Sequence, residues 1–187
     1  MKLLAIYGSP REGGNSDILL DQAAAGAAES CVVEKLYIRG LNIRPCAGCR
    51  SCDTTGDCII KDEMAQVYKK IEEADRIILS SPVFFYGLPG QLKGMVDRAQ
   101  CYWARKYLLK RGDAGKGRLG AFICVGATKG EKLFDGVKLT VKYFFDSFGI
   151  EYSSELFVRK VDKKGEVAGT DAVKAALELG KNICSQK

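Results

Sequence analysis

The chain has 187 residues, of which 47% are hydrophobic and 28% are charged, and its formal net charge is +6. This composition is typical of one globular domain, and it excludes a disordered or collagen-like chain. No stretch reaches the roughly 18 apolar residues of a membrane span, no basic run with interleaved aromatics indicates nucleic-acid binding, and the absence of histidine excludes Ser-His-Asp and Cys-His catalysis.

Strand and helix patterns alternate along the chain. Apolar runs predict five strands, at residues 2–7, 31–38, 75–81, 119–127 and 150–158. Helical patterns lie between and after them, at residues 16–29, 62–73, 91–111, 131–148 and 171–184. Asn15 or Ser16 is expected to cap the first helix, and residues 40–60 form the longest irregular stretch. Five strands joined by helical crossovers predict one α/β domain over residues 1–187, with a parallel sheet between two helical layers.

The loop after the first strand has the composition of an anion site. In such sheets ligands bind beyond the carboxyl ends of the strands. The loop brings glycines, the Ser9 and Ser16 hydroxyls, the Asn15 amide and the Arg11 guanidinium to the N-terminus of a helix. This combination predicts phosphate binding, although the loop matches neither the Walker A nor the GxGxxG pattern. The alternative is a glycine turn followed by an Asn cap.

The loop after the third strand, from Ser81 to Gly90, places three aromatic residues between two prolines. Aromatic faces can wall a flat heterocycle, whereas a buried aromatic cluster is the alternative for this loop taken alone. Together with a phosphate site on a nearby strand, the loop predicts a ligand in which a flat ring is joined to a phosphate. FMN has that structure.

Four of the eight cysteines follow the spacing C-x2-C-x2-C-x5-C, and these are Cys46, Cys49, Cys52 and Cys58. Thiolates are soft ligands that suit iron–sulfur clusters and zinc. Three cysteines at successive x2 spacing let a short loop wrap one cubane. Zinc held by four cysteines usually takes two C-x2-C pairs separated by a longer insert. The spacing therefore favours a [4Fe–4S] cluster, and zinc or a purely structural loop remain as alternatives.

The other cysteines lack such spacing. Cys31 and Cys124 lie in strand patterns and are expected to be small core residues. Cys101 and Cys184 lie in helix patterns, and nothing singles them out. Because no secretory signal precedes the first strand, we expect a reducing, cytoplasmic location.

Residues 101–118 carry six cations and one acidic residue. Steering of an acidic redox partner or of the NADPH phosphate is one interpretation. A solvated helix end, whose cations offset the helix dipole, is the preferred one. Tyr102, Trp103 and Tyr107 in the same stretch fit a subunit interface and the core equally well.

Three stretches, GSPREGGNS, PCAGCRSCDTTGDCIIKDEM and SPVFFYGLPGQLKGMVDR, resemble the NADPH-dependent FMN reductases of the flavodoxin-like fold, and above all their iron–sulfur flavoprotein branch. The resemblance is collinear from residue 3 to about residue 98. It implies a three-layer, doubly wound sandwich with strand order 2-1-3-4-5. It also implies that FMN lies at the edge formed by the first and third strands. The flavin-binding residues that it implies are Ser9, Arg11, Asn15 and Ser16 at the phosphate, Pro82, Val83, Phe84, Tyr86 and Gly87 near ribityl and ring, and Gly126, Ala127 and Thr128 in a third loop.

The resemblance further implies that the cysteine-rich loop at 44–60 holds one [4Fe–4S] cluster on its four cysteines, and that the chain forms a homodimer or homotetramer. The flavin carries the chemistry in such proteins, so we expect no catalytic side chain. The leading hypothesis is an FMN-dependent oxidoreductase that passes electrons between FMN, the cluster and a redox partner such as ferredoxin, with NAD(P)H as a candidate substrate. The alternatives are a cluster-free, NAD(P)H-dependent FMN reductase of quinones, nitroaromatics or similar small acceptors, and a flavodoxin-like electron carrier.

Overall fold

The computed structural model describes residues 1–111 and 117–186. They contain a five-stranded parallel sheet with the strand order β2-β1-β3-β4-β5. The strands are β1 (Lys2–Tyr7), β2 (Val32–Tyr37), β3 (Arg76–Pro82), β4 (Leu119–Gly126) and β5 (Glu151–Arg159). The predicted fold class and strand order are confirmed, and each strand boundary lies within one residue of its predicted position.

The helices are α1 (Asn15–Ala27), α2 (Cys52–Thr55), α3 (Met64–Glu73), α4 (Gly90–Arg98), α5 (Gln100–Trp103), α6 (Asp135–Ser147) and α7 (Asp171–Ser185), with a 3-10 turn at Ile38–Gly40. The prediction of one helix over 91–111 is wrong, because α4 and α5 are separate and a π-helical turn follows at Ala104–Leu108. The backbone N–H of Leu109 donates to the oxygen of Ala104 at 2.9 Å, which closes that wider turn. Within the described residues, no helix is long and apolar enough to cross a membrane.

The sheet separates two apolar layers, and β1 shows how the sequence builds both. Leu4 and Ile6 face the layer covered by α3, α4 and α6, whereas Leu3, Ala5 and Tyr7 face the layer covered by α1 and α7. Successive side chains of a strand point to opposite faces. A strand covered by helices on both faces is therefore apolar throughout, which is why these short runs could be recognised in the sequence.

Helices α1 and α7 pack backbone to backbone. A Cβ on Gly180 would lie 1.9 Å from the backbone oxygen of Ala23, so only glycine permits this approach. A disulfide between Cys31 and Cys184, with the Cα atoms 6.3 Å apart, joins the end of α7 to the start of β2. The expectation that Cys31 is a buried core residue is met, but neither its bond nor the role of Cys184 was predicted.

Several cations of the basic stretch 101–118 bond other segments of the chain. Arg105 donates to the backbone oxygen of Gly56 at 2.8 Å, Lys106 pairs with Asp146 at 2.7 Å, and Arg118 donates to the backbone oxygen at the end of α6 and to that of residue 74. These cations therefore tether neighbouring segments as well as facing solvent. Asp113 and Lys116, which belong to the same predicted stretch, lie outside the described residues.

Candidate functional site

The loop after β1 lies at the carboxyl edge of the sheet and leads into α1. Gly8 is required at its start, because a Cβ there would lie 2.6 Å from the backbone oxygen of Ser80. The buried Ser9 hydroxyl accepts the backbone N–H of Arg11 at 3.0 Å, and Gly14 occupies the N-cap position of α1. The first-turn amides of a helix have no acceptor within the helix and bear the positive end of its dipole. The loop therefore offers a site for an anionic group.

Asn15 is not the predicted helix cap, because Gly14 occupies the N-cap position, and its side chain bonds a distant segment of the chain. It is the first residue of α1, and its side chain tethers the segment between β5 and α7. Its Nδ2 donates to the backbone oxygen of Lys163 at 2.9 Å, and its Oδ1 accepts the backbone N–H groups of Gly165 and Val167 at 3.1 and 3.3 Å. The exposed guanidinium of Arg11 donates to the backbone oxygen of the residue before Lys163 at 3.1 Å, which adds a second tether.

Two further residues, Arg39 and Asp17, form hydrogen bonds that stabilise this loop. Arg39, just after β2, donates to the carboxylate of Asp17 at 2.9 Å, and its guanidinium lies 4.7 Å from the centre of the Tyr37 ring. Asp17 also accepts the backbone N–H of Gly13 at 3.1 Å, and burial raises the pKa of Asp17 despite the facing guanidinium. Neither residue was predicted from the sequence. The position of Arg39 at the end of a strand was the available signal, since all parallel strands end at one edge.

The loop after β3 presents its aromatic rings to the outside. Phe84 and Gly87 exchange two backbone hydrogen bonds of 2.9 Å, which close a two-residue turn. Phe85 and Tyr86 within that turn have φ angles of 48° and 61°, a left-handed conformation that is costly for bulky side chains. The side chains of Phe84, Phe85 and Tyr86 are all exposed. A buried aromatic cluster therefore does not describe this loop, and its rings are available to a ligand or a partner.

A groove at the carboxyl edge joins the three loops. The predicted residues that line it are Ser9, Arg11, Asn15, Ser16, Pro82, Val83, Phe84, Gly126 and Ala127. Tyr86, Gly87 and Thr128 do not line it. Val161 and Asp162 line it without having been predicted, because they belong to the segment that Asn15 tethers. The groove encloses about 90 Å³, far below the roughly 300–1,000 Å³ of a complete small-molecule pocket. The groove is therefore too small to enclose a whole nucleotide.

A larger cavity, of about 580 Å³, lies at the C-terminal end of α4. The four regularly spaced cysteines, which are Cys46, Cys49, Cys52 and Cys58, all line it with free thiols. Gly48 and Gly56 turn the chain between them with φ angles of 64° and 81°. Within residues 1–111 and 117–186, no three His, Cys, Asp or Glu side chains converge as they would around a single metal ion.

A fifth cysteine, Cys101, lines the same cavity, although the sequence did not single it out. Its thiol is buried and lies 3.4 Å from the backbone oxygen of Arg98. Burial raises the pKa of both Cys101 and Cys52, and the proximity of the two thiols raises that of Cys52 further. Without a bound cation these two thiols therefore favour their protonated form.

The sequence profile of the NADPH-dependent FMN reductases matches residues 1–134. An iron–sulfur flavoprotein of Methanocaldococcus jannaschii is 33% identical over 176 residues, which cover 94% of this chain and 84% of that protein. The chain belongs to the NADPH-dependent FMN reductase family, in its iron–sulfur flavoprotein branch. An iron–sulfur flavoprotein of Archaeoglobus fulgidus is 36% identical to this flavoprotein over 132 residues, covering 70% of the chain and 57% of that relative.

Solved structures show the same fold. An FMN-dependent NADH-azoreductase of Bacillus anthracis, in complex with FMN, superimposes on this flavoprotein with a TM-score of 0.73 and 16% identity, covering 99% of this chain and all of the other. A flavone reductase superimposes with a TM-score of 0.72 and 20% identity, covering 98% of this chain and 62% of the other. At these identities the likeness establishes the flavodoxin-like fold. Family membership makes the chain an FMN-dependent oxidoreductase.

Proposed function

We propose that this flavoprotein binds FMN in the groove at the carboxyl edge and a [4Fe–4S] cluster in the cysteine cavity, and that it passes electrons between FMN, the cluster and a redox partner of the ferredoxin type. One observation carries the proposal. All four cysteines of the C-x2-C-x2-C-x5-C block line a single cavity with free thiols.

The flavin site follows from the three loops. The first-turn amides of α1, the Ser9 and Ser16 hydroxyls and the Arg11 guanidinium would hold the phosphate. The turn at Phe84 to Gly87 would lie along the ring, whose redox chemistry the flavin itself supplies. Thr128 is proposed at the margin of this site, next to Ala127. No side chain with a general acid or base role is needed for hydride or electron transfer at the ring.

The cysteine cavity fits a cluster by the chemistry of its donors. A zinc ion would need its four sulfurs at about 2.3 Å from one point, whereas each thiolate of a cubane binds a different iron and the sulfurs surround a volume. Four thiols around a cavity of about 580 Å³ match the second requirement. When bound, the cluster would supply one-electron transfer.

Helix α4 connects the two sites. It begins just after the aromatic loop, and its last residue, Arg98, lines the cysteine cavity. Its nine residues rise by about 13 Å in total. One short helix therefore fixes the flavin loop and the cysteine cavity relative to each other.

The predicted homodimer or homotetramer is supported by the open flavin site. Phe85 is fully exposed, and Tyr86, Trp103 and Tyr107 are also exposed. Aromatic residues are enriched in subunit interfaces, and a second copy could complete the site that the small groove leaves open. The four free loop thiols fit a reducing location such as the cytoplasm, in which the Cys31–Cys184 disulfide is an uncommon feature.

A second candidate is a cluster-free reductase that transfers electrons from NAD(P)H to quinones or similar small acceptors. The exposure of Cys46 and Cys49 favours it, because neither thiol is enclosed by the fold. In that case the cysteine block is structural or holds zinc, and small acceptors reach the flavin through the open side of the groove.

Anaerobic assays of the unchanged protein and of Cys49→Ser separate the two candidates. We expect both proteins to contain FMN and only the unchanged protein to exchange electrons rapidly with a ferredoxin. Equal rates with ferredoxin in the two proteins contradict the cluster as the electron route. Rapid NAD(P)H oxidation with a quinone by both proteins, without ferredoxin activity in either, establishes the second candidate.

A further inference from the structure

We propose that Arg98 is the positioning residue of the cysteine site. Its two terminal nitrogens close the base of the cysteine loop, and its Nε–H is left for a sulfur atom of the cluster. This inference rests on the proposed cluster and adds the residue that orders its ligands and tunes its electronic properties.

The first observation is that Arg98 bonds both ends of the cysteine block. Its side chain is 1% exposed. One terminal nitrogen donates to the backbone oxygen of Arg44 at 2.8 Å, and the other donates to that of Ile60 at 3.1 Å. Arg44 lies two residues before Cys46, and Ile60 lies two residues after Cys58. A single planar guanidinium therefore joins the chain where it enters and where it leaves the block.

The second observation is that Asp62 fixes the guanidinium from the other side. Both terminal nitrogens of Arg98 contact its carboxylate, at 2.8 and 3.2 Å. The same carboxylate accepts the backbone N–H of Arg44 at 2.9 Å and that of Met64 at 3.1 Å. Such a bidentate fork requires arginine, because the ammonium group of lysine cannot reproduce it.

The third observation concerns the remaining donor. The Nε of Arg98 is buried and has no hydrogen-bond partner among the described residues, although Arg98 lines the cysteine cavity. A buried donor without a partner is costly. The buried Arg76 differs, because its Nε donates to the backbone oxygen of Ile183 at 2.8 Å.

A cluster in the cavity would remove that cost. Cluster sulfurs accept hydrogen bonds, and these bonds together with nearby charge set the reduction potential. A fixed positive charge with one free N–H favours the more negative, reduced state. Arg98 therefore has two roles, holding the ligand loop closed and raising the midpoint potential of the cluster.

The test compares Arg98→Lys with Arg76→Lys, a matched change at a buried arginine whose donors are satisfied by backbone oxygens outside the cysteine-rich loop. Iron, acid-labile sulfide and FMN are measured after anaerobic reconstitution and again after challenge with a chelator. We expect Arg98→Lys to keep FMN and to lose its iron at a chelator concentration about tenfold lower or less. We also expect its remaining cluster to have a lower midpoint potential. Arg76→Lys should match the unchanged protein in both measurements.

Iron retention and a midpoint potential that are both unchanged in Arg98→Lys overturn the proposal. A lower potential with unchanged retention overturns the closing role, and the reverse result overturns the role of Nε–H. If Arg98→Lys does not fold, Asp62→Asn loosens the same clamp while keeping the guanidinium, and normal iron retention in that variant overturns the closing role.

Failure of the proposed function is distinguishable from failure of this inference. If the unchanged protein takes up no iron, the proposed cluster is wrong, and with it the role of Nε–H. The closing role is then judged in the metal-free protein by mass spectrometry of alkylated cysteines. Faster alkylation of the four loop cysteines in Arg98→Lys than in Arg76→Lys supports it, and equal rates overturn it.

Discussion

Replacement of Asn15 by Ala tests whether this side chain stabilises the fold as a tether or binds the phosphate of FMN. The side chain makes three hydrogen bonds to the backbone of the segment between β5 and α7, and the bond to Val167 is buried. At about 0.5–1.5 kcal/mol each, their loss removes roughly 2–4 kcal/mol from the free energy of unfolding. For a chain of this length, that loss lowers the melting temperature by roughly 5–15 °C.

The assay is urea unfolding of the FMN-free protein, followed by FMN titration monitored by flavin fluorescence. Arg11→Ala is the matched control, because Arg11 is exposed and makes a single bond to the segment. We expect Arg11→Ala to change the stability of the FMN-free protein by less than about 0.5 kcal/mol. The same variant should bind FMN about tenfold more weakly or worse, because a charge-assisted phosphate contact is lost.

The two variants should therefore differ most clearly when FMN is absent. An FMN-free Asn15→Ala protein as stable as the unchanged one, with weakened FMN binding, would refute the tether and support Asn15 as a phosphate ligand. Loss of stability in both proteins by the same amount would contradict the different roles assigned to the two side chains.

Cys49→Ser is expected to lose iron and keep FMN, whereas Cys101→Ala is expected to keep both. Equal iron contents in Cys49→Ser and the unchanged protein would contradict the assignment of Cys49 as a ligand. Reduction of the Cys31–Cys184 disulfide, which spans 153 residues, is expected to lower the free energy of unfolding by about 2–4 kcal/mol; detection of both thiols free by alkylation before reduction would exclude the bond. Although burial alone would raise the pKa of Asp62, hydrogen bonds from its arginine partner and two backbone amides lower it. The stabilisation from this carboxylate is therefore complete above about pH 4 and lost as the pH falls further. Acid unfolding curves that are parallel for the unchanged protein and Asp62→Asn would show that this linkage is absent.

The sheet could be predicted because a strand buried on both faces is marked by an unbroken apolar run. β1 ends just before Gly8, β3 ends at Pro82 and β4 ends at Gly126, which is why these boundaries were nearly correct. The helical stretch after β3 was harder. No proline or glycine marks the break after Arg98. The break accompanies contacts that Arg98 makes with residues 36 to 54 positions away in sequence, and local pattern cannot show such contacts.

In the candidate site, too, some features could be predicted from the sequence and others could not. Most of the flavin residues that were predicted from motifs and strand positions line one groove. The four cysteines that were predicted from their spacing line one cavity. The individual roles of polar side chains were less accessible. Asn15 has the composition of a cap but bonds a segment about 150 residues away, and Arg98 has the pattern of a helix-end cation but is buried. A side chain takes its role from its partners, and distant partners are set by the fold.

The content of FMN, iron, acid-labile sulfide and zinc per subunit, measured in anaerobically purified protein, tests the central claim most directly. The account predicts one FMN per subunit, with iron and sulfide at about four each and no zinc, as a cluster on four cysteines requires. One FMN with zinc, or with no metal, would contradict the cluster and leave the cysteine loop as a structural element of a small-molecule reductase.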